Sequence, residues 1–138
     1  EEHHSLTHHF MFQLRDSNLR GRLDYDANSD INTDTSLISS AHADGSVILW
    51  DPRSLSRPVL SWENLHHHEV RSVQFCPRDE SWILSASFDG TVRIVSSEQK
   101  STPTMKWSQH DGKVLRARWG GDVNFVSCSA DRTVRVWE

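Results

Sequence analysis

What most limits the possible folds of this chain is that it repeats itself. Three segments align: LISSAHADGSVILWD at 37–51, WILSASFDGTVRIVS at 82–96 and FVSCSADRTVRVWE at 125–138. Their turn aspartates, Asp44, Asp89 and Asp131, stand 45 and then 42 residues apart. In each segment two short runs rich in β-branched residues flank a tight D-G or D-R turn, which is the pattern of a hairpin. Further strand-like runs precede the second and third hairpins, VRSVQF at 70–75 and KVLRARW at 113–119, and others follow the first and second, RPVLSW at 57–62 and TPTMKW at 102–107. The repeating unit is therefore four strands.

A period of ~40–45 residues with four strands and an aspartate-bearing turn reads as a propeller blade. At the level of single residues the chain resembles the WD-repeat (WD40) β-propeller family, whose blades carry a His before the innermost strand, a Ser or Thr in the second, an Asp in the turn and a Trp in the third. The third repeat has all four, as His110, Ser127, Asp131 and Trp137. The second has His66, Ser85 and Asp89 at matching offsets, with Val95 in place of Trp. The first has Ser40, Asp44 and Trp50, and its His is unassigned. Leu65 and Gln109 stand where the family's usual Gly precedes the His. The resemblance implies an all-β fold of WD40-type β-propeller blades, each a four-stranded antiparallel sheet, in a partial ring of about 2.75 blades. Blade 1 is expected over about 5–62, blade 2 over about 66–107, and blade 3 over about 110–138 without its outer strand.

The four residue types have a physical logic of their own. A Trp buried between sheets has an indole N–H that needs an acceptor, a Ser hydroxyl accepts it and donates onward, and an imidazole links that hydroxyl to a carboxylate. For blade 1 the innermost strand is expected at Leu6–Leu14, because HHSLTHHFMFQLRD at 3–16 resembles HHEVRSVQFCPRD at 67–79. The polar segment 17–35 then reads as a long insertion between strands. Propellers close with four to eight blades, and a seven-bladed ring needs about 300 residues at this period. The chain is accordingly expected to be part of a ring whose other blades come from a longer protein, a second copy or another chain.

Composition sets outer bounds. The formal charge of −4 lies wholly in residues 1–36, which hold seven acids and three bases, whereas 37–138 hold twelve of each. That balance lacks the basic footprint of a nucleic-acid binder, so no direct nucleic-acid contact is expected. No apolar stretch reaches the ~18 residues of a membrane helix, and EEHHSLTHHF lacks the pattern of a signal peptide, so no membrane partner is expected. Two cysteines, Cys76 and Cys128, match neither a disulfide framework nor zinc-ligand spacing. A reducing intracellular compartment fits, with cytoplasm and nucleus not distinguished.

Several features imitate chemistry. His110, Ser127 and Asp131 have the composition of a hydrolase triad, yet the set recurs with the blade period, no G-x-S-x-G elbow is present, and no enzyme is expected. The run His66-His67-His68-Glu69 and the pairs His3-His4 and His8-His9 invite a metal, but adjacent residues on an extended segment point to opposite faces. No cofactor or metal is expected. WDPR at 50–53 resembles the box by which some WD-repeat proteins dock on a cullin-RING ubiquitin ligase adaptor, with Arg53 as the contact; the plain alternative is a surface arginine in a local salt bridge.

The resemblance implies that partners are held on the face bearing the hairpin turns. Candidates there include Glu63, Asn64, His67, His68 and Glu69 before the second blade, and Gln109, Asp111 and Lys113 before the third. Phe88 stands out, since Ala43 and Ala130 occupy its position in the other turns and an exposed ring is a common interface anchor. Trp62 and Trp107, near the ends of outer strands, are expected either buried against the next blade or left exposed. The leading functional expectation is a non-enzymatic scaffold that binds partner proteins or completing blades. The alternatives are a ubiquitin-ligase substrate receptor and a propeller subunit of a ribonucleoprotein or chromatin assembly.

Overall fold

The computed structural model describes residues 10–11, 29–31, 37–98, 104–121 and 124–137. Among these residues lie twelve strands: β1 (Phe10–Met11), β2 (Ser29–Ile31), β3 (Ile38–His42), β4 (Val47–Trp50), β5 (Leu60–Trp62), β6 (Val70–Phe75), β7 (Trp82–Ser87), β8 (Val92–Ser96), β9 (Met105–Trp107), β10 (Val114–Trp119), β11 (Phe125–Ser129) and β12 (Val134–Trp137). They form three antiparallel sheets, β1/β2-β3-β4-β5, β6-β7-β8-β9 and β10-β11-β12, with no helix among the described residues. The all-β, blade-built architecture expected of a partial WD40 propeller is the one found.

The middle sheet is packed on both faces, and its sequence follows from that. Along β7, Ile83 joins a cluster with Val47, Leu49, Trp62, Val70, Val73 and Phe75, between the first and second sheets. Its neighbours Leu84 and Ala86 turn the other way, joining Val92, Ile94, Val114, Ala117, Phe125 and Trp137 between the second and third sheets. A strand apolar on both sides needs small or branched residues at successive positions, hence WILSAS rather than a polar-apolar alternation. Trp62 is buried in the first interface, and Trp107 stands edge-on to Phe125 at 5.0 Å in the second. Each outer-strand tryptophan therefore packs against the following sheet.

Hydrogen bonds tie the innermost strands of the second and third sheets together. Ser72 Oγ donates to the Ala117 carbonyl at 3.0 Å, Gln74 Oε1 accepts from the Trp119 amide at 2.9 Å, and the Trp119 indole donates to the Gln74 carbonyl at 3.2 Å.

The first sheet differs from the sequence expectation at its inner edge. Phe10 and Met11 pair with His42 and Ala41, while Ser29, Asp30 and Ile31 pair with Ser40, Ser39 and Ile38. Two pieces, β1 and β2, thus lie end to end along one edge of β3. Ser29–Ile31 falls inside the segment 17–35 read as an insertion, and it is ladder instead. Its Ser-Asp-Ile sequence has too little apolar periodicity to announce a strand. The remainder of Leu6–Leu14 and of 17–35 lies outside the described residues.

The third sheet has one bare face. Val134 and Val136 are 71% and 66% exposed, and Leu115 and Val126 are exposed beside them. The matching residues of the second sheet, Val92 and Ile94, are buried against the third sheet, and those of the first, Val47 and Leu49, against the second.

Candidate functional site

The hairpins are three-residue loops in which the last residue has positive φ: Gly45 at 90°, Gly90 at 86° and Arg132 at 70°. Each is closed by that residue's amide donating to the carbonyl of His42, Ser87 or Ser129. This is the turn-plus-bulge geometry that three-residue hairpin loops favour, with glycine or a tolerant polar residue at the left-handed position. The aspartate before that residue faces back over the turn. Asp89 Oδ1 accepts from the Thr91 amide at 2.8 Å and Asp131 Oδ1 from the Thr133 amide at 2.8 Å, and both also take the threonine hydroxyl. Ser46 plays the same part for Asp44. The Ser or Thr two places after each aspartate was thus a missed member of the turn, although it recurs in all three repeats.

In the third sheet the structure brings His110, Ser127, Asp131 and Trp137 into one chain of bonds. The Trp137 indole donates to Ser127 Oγ at 2.8 Å, Ser127 lies 2.7 Å from His110 Nε2, and His110 Nδ1 lies 3.0 Å from Asp131 Oδ2. An ionised aspartate only accepts, so Nδ1 carries the hydrogen and Nε2 accepts the serine proton. The His110 side chain is 1% exposed and Ser127 equally buried, so the resemblance to a hydrolase triad carries no access for a substrate. The second sheet repeats the arrangement without an indole. Ser85 Oγ is 2.8 Å from His66 Nε2, and His66 Nδ1 is 3.1 Å from Asp89 Oδ2. Val95 fills the Trp position and packs in the apolar interface.

The first sheet closes its chain differently. The Trp50 indole donates to Ser40 Oγ at 2.8 Å, and Ser40 lies 2.8 Å from Nε2 of His42, two residues along the same strand. The unassigned histidine of the first repeat is therefore replaced from within β3. The signal was available, because residues i and i+2 of a strand share a face.

These chains carry a charge pattern. Burial pushes the His42 pKa down to about 4 against the pull of Asp44, and burial likewise lowers His66 against the pull of Asp89. Desolvation opposes ionisation of Asp89, but bonds from His66 and Thr91 outweigh it and hold the carboxyl well below the usual range. The Thr133 hydroxyl, against some desolvation and with help from His110, does the same for Asp131.

Two predictions arise here. Because His42 and His66 take up protons more readily when the chain is unfolded, stability is lost as pH falls from about 6.5 toward 4. Each such histidine contributes a slope of up to about 1.4 kcal/mol per pH unit. Melting followed by circular dichroism from pH 7.5 to 4.5 should show the decline before the carboxylates titrate; a flat profile above pH 5 would contradict it. Second, Ser127→Ala strands both an indole N–H and an imidazole nitrogen, whereas Ser85→Ala strands only an imidazole. The former should cost roughly 2–4 kcal/mol and the latter about half, read from urea midpoints. Equal costs would mean that the Trp137 bond contributes nothing.

Above the hairpin end of the stack lies an open cleft of about 730 Å³, lined by Ala43, Asp44, His67, His68, Glu69, Phe88 and Lys113. Three sheets supply its walls through turns and through the loops that enter β6 and β10. Phe88 sits half-buried with the Lys113 ammonium 4.8 Å and the Arg71 guanidinium 5.5 Å from its ring centroid. Arg71 also pairs with Glu69 at 3.1 Å. Asp111 is exposed nearby in sequence and its amide donates to Asp131 Oδ2, but it does not line the cleft. Arg53 is at the other end of the first sheet, beyond Trp50, where it is 81% exposed and closes on Asp51 at 2.7 Å. Ala43, Asp44 and Arg71 were not singled out as partner contacts; Ala43 and Asp44 join the cleft where the first sheet meets the loops of the second and third, and Arg71 meets Phe88 within the second sheet. Among the described residues no three His, Cys, Asp or Glu side chains group so as to hold a metal, and no helix is long and apolar enough to cross a membrane.

Compared with known proteins, the family model described as "WD domain, G-beta repeat" matches residues 59–96 and 101–138, more than half of the chain. Each matched stretch begins at the outer strand of one sheet and ends with the third strand of the next. Relatives include a "Ribosome biogenesis protein WDR12 homolog" of Ixodes scapularis, 28% identical over 73% of this chain and 24% of its own length. "Restriction of telomere capping protein 1" of Lodderomyces elongisporus is 32% identical over 71% of this chain and 9% of its own length. "SIR4-interacting protein SIF2" of Saccharomyces cerevisiae is 33% identical over 52% and 13% respectively. The chain spans about a quarter or less of the length of these curated relatives.

Proposed function

Since this chain belongs to the WD40 family of G-beta repeat proteins, we propose that it is a non-enzymatic interaction module that holds partner proteins in the cleft at the hairpin end of its sheets. The observation that carries this reading is the cleft itself, with Phe88, His67, His68, Glu69 and Lys113 gathered from separate repeats. The histidines, serines and aspartates that imitate catalysis are engaged internally and buried, which supports binding over chemistry. The test is a photo-crosslinking residue placed at Lys113 or His68, and as a control at Ser56, in the whole protein. Protein adducts should form at the cleft positions, and Phe88→Ala should reduce them without lowering the melting temperature appreciably. Adducts formed equally at Ser56 would overturn the reading.

The bare face of the third sheet has a separate role in this proposal. By the repeat's own logic it receives a further sheet, from this protein or another. The chain alone, 15.9 kDa as a monomer, should run as a larger species in light scattering. Val134→Lys with Val136→Lys should return it to monomer while leaving stability within about 0.5 kcal/mol, since both side chains are exposed. A wild-type monomer would contradict the idea.

A second reading, a place in an assembly concerned with ribosome biogenesis, is favoured by the name of the Ixodes relative. It predicts that the tagged whole protein sediments with large ribonucleoprotein particles; free sedimentation would remove it.

A further inference from the structure

The three turn aspartates are alike in sequence but not in how their oxygens are used. In the second and third sheets one carboxylate oxygen holds the turn, while Oδ2 takes two donors. For Asp89 these are His66 Nδ1 and the His67 amide at 3.0 Å, and for Asp131 they are His110 Nδ1 and the Asp111 amide at 3.0 Å. In the first sheet both Ser46 bonds fall on Asp44 Oδ1. The histidine of that sheet comes from β3 and is bound to Ser40 through Nε2. Among the described residues no hydrogen bond from another residue reaches Asp44 Oδ2. Asp44 is also exposed and lines the cleft, whereas the Asp89 and Asp131 side chains are only 4% and 10% exposed.

We propose that Asp44, released from the structural duty its counterparts perform, is the cation-recognition residue of the cleft, and that it receives one lysine or arginine side chain from an extended segment of a partner protein. The inference rests on the cleft being the partner-binding site. Several observations specify it. The Ser46 hydroxyl and amide outweigh desolvation and keep the carboxyl ionised, so it offers a charge-assisted bond to a guanidinium or ammonium. The other nearby carboxylate, Glu69, is engaged by Arg71. The Lys113 ammonium, which also lines the cleft, lies over Phe88 with no carboxylate in ion-pair range among the described residues. A second cation on the partner would meet Lys113, so the cleft fits a single basic residue flanked by neutral or acidic ones, not a polybasic run.

The test is titration of the ¹⁵N-labelled whole chain with three probes: acetyl-Gly-Arg-Gly-amide, its citrulline counterpart, and acetyl-Arg-Arg-Arg-amide. The arginine probe should shift the amides of Ala43, Asp44 and Phe88, and the uncharged citrulline probe should bind about tenfold more weakly. Asp44→Asn retains a carbonyl oxygen for Ser46, so its spectrum away from the site should be preserved while its affinity for the arginine probe falls by a similar factor. Equal binding of citrulline, unchanged binding by Asp44→Asn, or shifts centred elsewhere would overturn the assignment. A markedly tighter triarginine probe would overturn the single-cation claim. If the arginine probe fails while crosslinks persist at Lys113 and His68, the charge assignment falls and the binding cleft stands; if the crosslinks fail too, the cleft reading falls.

Discussion

Gly45→Ala should destabilise the chain by about 3–5 kcal/mol, whereas Gly90→Ala, in the equivalent turn, should cost only about 1–2 kcal/mol. Both glycines have positive φ, so the conformational penalty is common to the two. The difference is the neighbour. A Cβ on Gly45 would stand 2.1 Å from the backbone oxygen of His66, while one on Gly90 meets nothing closer than 3.4 Å. Gly45 also accepts the His66 amide at 2.9 Å, so its turn is fastened to the loop that delivers His66 to the second sheet. A side chain there forces that loop away and disturbs the His66–Ser85 bond as well. Urea unfolding of the two variants decides the matter, and similar midpoints would show that the loop yields freely.

Asp89→Ala is expected to be the most damaging change among the polar residues, at roughly 3–5 kcal/mol. It removes the carboxylate acceptor shared by four donors, the imidazole of His66, the His67 amide, and the amide and hydroxyl of Thr91, and leaves His66 Nδ1 only the Thr91 hydroxyl oxygen at 3.0 Å. The His66 ring is fully buried, so water cannot substitute. Asp131→Ala removes a like set at the bare end of the stack and should lower melting by less, while Asp44→Ala, whose hydrogen bonds from other described residues come from Ser46, should lower it least. The order Asp89, Asp131, Asp44 is the testable content; a reversed order would show that the bond count does not govern the cost.

The cleft and the tetrads were legible to different degrees. His110, Ser127, Asp131 and Trp137 were readable together because one repeat carries all four at fixed offsets. Ser40, Asp44 and Trp50 were readable without their histidine, since His42 reaches Ser40 from inside the strand, not from the preceding loop. Phe88 was legible as an oddity among alanines. Its two cations were not, because Arg71 reaches that ring only once β6 has paired within the second sheet, and Lys113 only once the third sheet has packed against it. β2 was hidden by its polar sequence, for a three-residue edge strand is specified by the ladder it joins more than by its own side chains.

By itself the sequence determined the repeating four-strand unit, the hairpin turns and the residue types that link indole to carboxylate, because these rest on contacts within one repeat, where spacing is fixed by the strand period. Only the tertiary structure decided which aspartate, among the described residues, takes its bonds from other residues on one oxygen alone, which faces are covered and where a cleft opens. Those properties belong to surfaces brought together from residues about 45 apart, and no local pattern encodes which side chain a stacked neighbour will cover.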